Sequence, residues 1–244
     1  MKKLFLFIFT IITFVQFGYS QKTYIPDDNF EAYLEANGMG DGINNNDSVT
    51  TANISGITNL SVSNQNIADV TGIEDFIGLT NFSCTRNQIS SIDISQNTQL
   101  KNLTCWRNQI TALDVSQNLL LETISAEGNQ ISTLDVTMLD SLKNLHCGGN
   151  LLNSLDISQN PLLSYLRCGN NQLTTLNLSQ NPLLYHVECY TNQISTLDVT
   201  MLDSLTLLNC QDNLLTSVDV SQNPLLTYLR CPNNQISTLD ITML

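Results

Sequence analysis

A period of 21 residues constrains this chain more than any other feature of its sequence. All seven cysteines lie in one phase of this period, and Ala126 stands at the one position in the series that lacks cysteine. Each of these eight positions is followed three residues later by asparagine, and two residues after that by isoleucine or leucine. Such a chain is expected to stack copies of one small unit, because a single unit cannot bury its apolar face alone. The cysteines are Cys84, Cys105, Cys147, Cys168, Cys189, Cys210 and Cys231.

The repeated unit predicts a short strand followed by a compact stretch of chain, the return side, that leads to the start of the next strand. Its pattern is L-x-x-L-x-C-x-x-N-x-I-x-x-L-D-V-S-Q-N-P-L, and a degenerate earlier copy begins at Ile57, which gives nine strand segments. Alternation along a strand places Leu103 and Cys105 on one face and Thr104 and Trp106 on the other. Because 21 residues leave no room for a long crossover helix, we expect extended segments or short 3₁₀ turns on the return side.

This unit resembles the leucine-rich repeat, with cysteine in place of the third leucine. More narrowly, it resembles bacterial secreted leucine-rich-repeat proteins with internalin-like short repeats of about 21 residues, and residues 25–31 and 72–76 are similar to their usual opening. The resemblance implies a leucine-rich-repeat solenoid. Its concave face would be a parallel β-sheet, its convex face extended or 3₁₀ turns, and its N-terminus a short helical cap.

Three regions are expected along the chain. Residues 1–20 combine Lys2 and Lys3 with an apolar stretch and small residues before position 21, which predicts a cleaved signal peptide. Residues 21–56 predict an N-terminal cap with a short helix, an Asn/Asp loop and half a repeat. Residues 57–244 predict the array of nine strand segments. The array is expected to be C-terminally incomplete, because its last residues match an earlier place where the repeats continue.

The composition excludes several classes of function. The chain has 22 acidic and 9 basic residues, and loss of the two leader lysines changes the net charge from −13 to −15. Nucleic acid is an unexpected partner for so acidic a protein, because binding to phosphates requires a basic surface. After signal cleavage no segment is apolar enough to span a membrane. We therefore expect a protein that is secreted or held at the outer cell surface.

The repeated polar and thiol positions predict structure rather than chemistry. The cysteines share one inward phase at a spacing too wide for disulfides, so we expect buried free thiols. Asparagine after each strand is expected to bond the turn and the neighbouring repeat. The aspartates are expected to bond turn amides, with calcium bridging as a minor alternative. No cofactor and no metal site is expected. The aspartate column contains Asp93, Asp114, Asp135, Asp156, Asp198, Asp219 and Asp240, with Asn177 as its exception.

The outward strand positions vary, unlike the rest of the unit. All four arginines, both histidines and the only tryptophan are expected on this one face. Aromatic and arginine side chains dominate binding hot spots, so the face is a candidate recognition surface. The competing explanation is that strands favour aromatic residues in general, but that preference does not account for the arginines. The candidate ligand-binding residues are Trp106, Arg107, His146, Tyr165, Arg167, His186, Glu188, Tyr190, Tyr228 and Arg230.

These patterns favour a non-catalytic recognition scaffold that binds a protein or a glycan on its concave face. The alternative is a passive surface or spacer protein without a specific ligand. An enzyme is not expected. His186 and Glu188 could imitate a base and its orienting acid, but no nucleophile, phosphate loop or metal-ligand spacing accompanies them.

Overall fold

A computed structural model of the protein describes residues 20–237. Residues 1–19 and 238–244 lie outside this range, and with them lie Asp240 and all but the last residue of the expected signal peptide, so the expectations about the leader and about an incomplete last repeat remain predictions. The described chain begins with strand β1 (Lys22–Tyr24), helix α1 (Asp28–Ala36), strand β2 (Ser48–Thr50) and helix α2 (Thr51–Ile54). Strands β1 and β2 pair antiparallel.

The following nine strands form one parallel sheet in sequence order, which confirms the leucine-rich-repeat solenoid. Each strand has three residues, and neighbouring strands pair without a shift, so equivalent repeat positions lie side by side. The strands are β3 (Asn59–Ser61), β4 (Asn81–Ser83), β5 (Asn102–Thr104), β6 (Thr123–Ser125), β7 (Asn144–His146), β8 (Tyr165–Arg167), β9 (His186–Glu188), β10 (Leu207–Asn209) and β11 (Tyr228–Arg230).

The core lies behind this sheet and is built from the repeated apolar positions. In β4 to β10 the middle residue is buried and its two neighbours are half-buried, as alternation along a strand requires. Six cysteines, from Cys84 to Cys210, are buried and Cys231 is half-buried, and all seven are free thiols. Burial raises the pKa of Cys105 and of Cys147 to about 12, so both thiols stay protonated and unreactive at neutral pH.

The return side contains tight turns and one short 3₁₀ helix (Ile73–Asp75). In the repeat that starts at Ile94, the backbone N–H of Asn97 donates to the Ile94 carbonyl, and the N–H of Leu100 donates to the Asn97 carbonyl. The same pair of turns recurs in the later repeats. This arrangement matches the expected convex side of extended segments and short turns.

The asparagines that follow the strands form what we call the strand-end ladder. Each side chain accepts a hydrogen bond from a backbone amide of the preceding repeat and donates to carbonyls of its own and the preceding repeat, as Asn129 illustrates. This confirms the expected structural role. The ladder contains Asn87, Asn108, Asn129, Asn150, Asn171, Asn192, Asn213 and Asn234.

A second set of asparagines, which we call the convex ladder, lies in the turns of the return side. Each Nδ2 donates to two carbonyls of the preceding repeat, and in residues 20–237 the Oδ1 atoms have no hydrogen-bond partner. Leu139 and Leu202 take the equivalent positions in two repeats. The sequence patterns indicated only a turn residue here. The convex ladder contains Asn97, Asn118, Asn160, Asn181 and Asn223.

The cap covers the first end of the core. Asp27 caps α1 by accepting from the amides of Asn29 and Phe30, and its other carboxylate oxygen accepts from the amides of Ala68 and Asp69 in the first repeat. Phe30 also stacks on a phenylalanine of the array, with ring centroids 6.3 Å apart. One carboxylate therefore both starts the helix and attaches it to the array.

Candidate recognition site on the concave face

The solvent-facing side of the nine-stranded sheet, which we call the concave face, presents the first and third residue of each strand and the residues that follow each cysteine. All ten candidate residues belong to these positions. The structure places them in three groups along the sheet. The groups are an aromatic cluster on β7 to β9, a pair of residues at β5, and a pair on β11.

The aromatic cluster is centred on Tyr165. Its ring stacks on His146 from β7 at a centroid distance of 4.9 Å and on His186 from β9 at 4.0 Å, with planes 16° apart in both pairs. Because β8 lies between β7 and β9, the two histidines cover opposite faces of the tyrosine ring. Burial lowers the pKa of His146, with Arg167 adding to the effect, so this ring is neutral at pH 7.

Arg167 and His186 share one carboxylate oxygen of Glu188 beside this stack. Arg167 donates from Nε to Glu188 Oε1 at 3.0 Å, and His186 Nε2 lies 2.6 Å from the same oxygen. The Arg167 guanidinium also stands 5.4 Å from the centre of the Tyr165 ring. The Arg167 η nitrogens and the second oxygen of Glu188 make no hydrogen bond in residues 20–237. The cluster therefore offers a donor and an acceptor side by side.

Two further tyrosines border the aromatic cluster. Tyr185 meets the ring of Tyr165 edge-on at 5.8 Å. Tyr190 lies across Gly169, where a Cβ atom would come within 2.6 Å of the tyrosine ring. The packing of Tyr190 therefore leaves no room for a side chain at position 169.

Trp106 forms the second group with two arginines. The guanidinium carbon of Arg86 stands 4.7 Å from the centre of the indole ring, and that of Arg107 stands 5.1 Å from it. Both arginines are exposed and Trp106 is half-buried. Contacts of this kind are cation–π interactions, worth about 0.5–1 kcal/mol each at exposed sites.

Tyr228 and Arg230 form the third group, and the structure does not bring them into contact with the aromatic cluster. Leu207 on β10 lies between Tyr228 and His186 in the register. Arg230 donates instead to the side chain of Gln211. The candidate residues from Tyr165 to Arg230 therefore form two neighbouring groups in the structure.

The structure also adds residues that the candidate set did not include. Arg86 shares the repeat position of Arg107, so its phase was the signal that could have identified it. Tyr185 is outside the strand, and only its contact with Tyr165 connects it to the face.

Comparisons with known proteins agree with the geometry of the repeats. No family model matches the chain. A 91-residue stretch, 36% of this chain, is 38% identical to internalin J of Listeria monocytogenes serotype 4b (strain F2365) and spans 10% of that protein. The functional domain of InlJ from Listeria monocytogenes, described as including a cysteine ladder, has a TM-score of 0.56 at 29% identity over 92% of this chain and 64% of that one.

The chain is a leucine-rich-repeat protein that is similar to the internalins.

A further solved structure supports the fold alone. Internalin C2 of Listeria monocytogenes strain 4b F2365 is 22% identical, with a TM-score of 0.66 over 92% of both chains. This chain spans less than two thirds of both InlJ sequences to which it is similar. Across residues 20–237, none of the helices has the length and apolar character that crossing a membrane requires.

The aspartates of the repeated column accept hydrogen bonds from backbone amides of the turns. Asp114 accepts from the amide of Ser116 at 2.9 Å, and this bond holds its pKa below the ordinary value. Equivalent bonds form at Asp93, Asp135, Asp156 and Asp198. The expected bonding to turn amides is therefore confirmed at these positions.

One carboxylate cluster lies in the cap. Oxygens of Asp28, Glu31 and Asp47 approach within 4.8 Å of one another. Glu31 is buried, and its two oxygens accept from the backbone amides of Asn46 at 3.0 Å and Asp47 at 3.2 Å. Because these bonds explain the buried carboxylate, we assign no metal to the cluster.

Proposed function

We propose that this protein is a non-catalytic recognition scaffold, acting outside the cell or at the cell surface, that binds a protein or a glycan on its concave face. The observation that carries the proposal is the contrast between the two sides of each repeat. The core and the turns repeat almost the same residues, whereas the concave face carries the interlocked aromatic and charged groups around Tyr165.

The aromatic cluster is suited to recognition because its parts are fixed before a ligand arrives. Tyr165 is stacked on both faces, Arg167 and His186 are fixed by Glu188, and Tyr190 is seated against Gly169. Rigid side chains lose little conformational entropy on binding, so more of the contact energy remains as affinity. Aromatic residues and arginine are also the types most frequent among binding hot spots.

Export of the protein is part of the proposal. It rests on the apolar leader at residues 1–20 with its two lysines and small residues before the cleavage position. The acidic surface and the rarity of lysine and arginine agree with a partner other than nucleic acid.

A catalytic role lacks support from the pair formed by His186 and Glu188. His186 Nε2 lies 2.6 Å from Glu188, but the same carboxylate oxygen also accepts from Arg167. Within residues 20–237, His186 has no side-chain hydrogen bond to a hydroxyl or a thiol, which nucleophilic catalysis would need.

The experiment starts from a search for a ligand with the mature chain. The immobilised protein is screened against purified extracellular protein domains and a glycan array, and the affinity of each selective ligand is measured by surface plasmon resonance. The triple variant Arg167→Ala/Tyr190→Ala/Arg230→Ala should bind that ligand at least about thirtyfold more weakly, the loss expected for one hot spot of about 2 kcal/mol.

A matched control carries the same number of substitutions on the return side. Asp93→Asn/Asp114→Asn/Asp156→Asn should bind within about twofold of the parent, because these carboxylates serve only exposed turns. If the control loses affinity and the concave variant does not, the binding face is wrong. If no ligand is selective in either screen, the spacer alternative replaces the proposal.

A further inference from the structure

Arg86 and Arg107 stand out in the charge inventory of the described chain. Of the seven cations in residues 20–237, Lys22, Lys143 and Arg167 form ion pairs with acids, and Arg230 bonds an amide side chain. Lys101 contributes to the low pKa of Glu122. Within residues 20–237, Arg86 and Arg107 have no acidic oxygen within ion-pair distance. Two adjacent cations thus remain unneutralised in a strongly acidic protein.

Their backbone conformation is unfavourable for arginine. Arg86 has φ 54° and Arg107 has φ 55°, in the left-handed region that side chains with a Cβ rarely adopt. Thr191 is the exception among the six later repeats. The other five hold residues that tolerate this conformation at the same position. They are Gly128, Gly149, Asn170, Asp212 and Asn233. Arginine at this position therefore carries a backbone cost, and a residue that breaks a local rule points to a functional reason.

The two arginine side chains also contact the same aromatic ring. Their positions are adjacent in the register, about 4.8 Å apart along the sheet, and both guanidinium groups stand over the single indole of Trp106. A ring face accepts no conventional hydrogen bond from the guanidinium, so the planar N–H donors remain available to a ligand. We call Arg86, Trp106 and Arg107 the arginine clamp.

The acid nearest to the clamp along the sheet does not neutralise it. Glu127 follows Trp106 in the same repeat position, yet burial raises the pKa of its carboxyl, the opposite of what an ion pair with Arg107 would do. Arg107 instead extends beside Gly128, with its Cγ 3.6 Å from where a Cβ atom would lie. The glycine leaves the guanidinium open to solvent.

We propose that the arginine clamp is an anion site, and that it takes the carboxylates of an extended acidic peptide segment of a protein partner. The inference rests on the proposed function, because it assigns chemistry to one part of the concave face. Two guanidinium groups at strand spacing match carboxylate groups through paired N–H···O bonds.

The choice of a peptide over an acidic glycan follows from the ring faces. Sugars bind proteins largely by stacking on open aromatic faces. The Trp106 ring has two guanidinium groups over it, and the faces of Tyr165, about 14 Å further along the sheet, are covered by two histidines. The rings thus offer edges and polar atoms, which suit peptide groups and carboxylates.

The single tryptophan makes the clamp directly observable, because fluorescence excited at the red edge of the indole band, where tyrosine does not absorb, reports Trp106 alone. The mature chain is titrated with the blocked peptide acetyl-Asp-Gly-Asp-Gly-Asp-amide, and with the same peptide carrying asparagine at each aspartate. We expect a saturable change in Trp106 emission with the aspartate peptide only. Raising the salt from about 50 to 500 mM should weaken it severalfold, because the contacts are charge-assisted and exposed.

The decisive variant is Arg86→Asn/Arg107→Asn. Asparagine occupies this position at Asn170 and Asn233, so the variant should melt at or above the temperature of the parent while binding the peptide at least about tenfold more weakly. Lys101→Asn/Lys143→Asn is the matched control: it removes two exposed positive charges outside the candidate ligand-binding residues and should bind the peptide within about twofold of the parent.

Several outcomes would overturn the inference. The clamp is structural if the arginine variant melts well below the parent, and the charge interpretation is wrong if the asparagine peptide binds equally. If a hexuronic-acid oligosaccharide binds at the clamp and the aspartate peptide does not, the partner class is wrong. None of these results affects the triple-variant test at Arg167, Tyr190 and Arg230, so the proposed function fails only on that separate measurement.

Discussion

The two asparagine ladders use the same side chain in different ways. In the strand-end ladder, Asn129 accepts from the buried amide of Ile110 at 3.1 Å and donates to the carbonyls of Cys105 at 3.1 Å and Ala126 at 3.0 Å. In the convex ladder, Asn118 only donates, to the carbonyls of Ile94 and Asn97, both at 2.9 Å. The strand-end ladder supplies the acceptor for a buried backbone amide, whereas the convex ladder supplies only donors.

The repeats themselves show the consequence of this difference. All eight strand-end positions from Asn87 to Asn234 hold asparagine, whereas the convex position holds leucine at Leu139 and Leu202. A carbonyl bonded by Asn118 still accepts a turn amide when its asparagine is lost, because the oxygen has two lone pairs. A buried N–H without an acceptor has no such reserve. Asparagine is therefore kept in every repeat at the position where its loss would leave a buried N–H donor unpaired.

The largest effect is expected in the strand-end ladder. Asn129→Ala should lower the free energy of unfolding by about 3 kcal/mol or more, because it removes the bonds to the Cys105 and Ala126 carbonyls and leaves the buried amide of Ile110 unpaired. Urea denaturation followed by circular dichroism measures the change. A loss below that of the convex variant described next would remove the distinction between the ladders.

A smaller effect is expected in the convex ladder. Asn118→Leu copies the residue found at Leu139 and should cost about 1 kcal/mol, because the freed carbonyls of Ile94 and Asn97 keep their turn bonds. The same urea denaturation applies. Asn118→Ala serves as the comparison, since it leaves the same bonds unmade and adds a cavity, so it should be the less stable of the two variants.

The smallest effect is expected in the aspartate column, where Asn177 is the natural substitute. Asn177 accepts from the amide of Ser179 at 3.0 Å, as Asp114 does from Ser116, so Asp114→Asn should change stability least of the three at pH 7. The low pKa of Asp114 means that the ionised form stabilises the fold above about pH 4, and that this contribution is lost as the pH falls further. Thermal melts from pH 7 to pH 3 should therefore show the parent losing more stability than the variant; parallel curves would contradict the assigned bond.

Much of the fold could be predicted because the same sequence pattern recurs in every repeat. The phase of the cysteines located the strands, and the pattern of residues 21–56 predicted a short capping helix. The pairing of β1 with β2 was missed, because two three-residue strands more than 20 positions apart carry no periodic signal. The convex ladder was missed for a different reason. Asparagine before proline indicates a turn, and only the structure shows that its amide bonds the neighbouring repeat.

The candidate site was less predictable than the fold. Sequence position indicated which side chains share the concave face, because face and register follow from the period. It did not indicate which of them touch, because Tyr165 reaches both histidines through its ring while Tyr228 stands one leucine away from the cluster. The conformation of Arg86 and Arg107 was equally hidden, since a left-handed backbone follows from the turn that the whole repeat imposes.

The unshifted register of the strands fixes the distance between any two groups on the concave face. Because every strand pairs with its neighbour at the same positions, one 21-residue unit inserted or removed would keep the same backbone pairing between neighbouring repeats. The arginine clamp and the aromatic cluster, three strands apart, could therefore be moved relative to each other in steps of about 4.8 Å. Gene duplication within such an array would adjust the distance between two contact points without requiring a new fold.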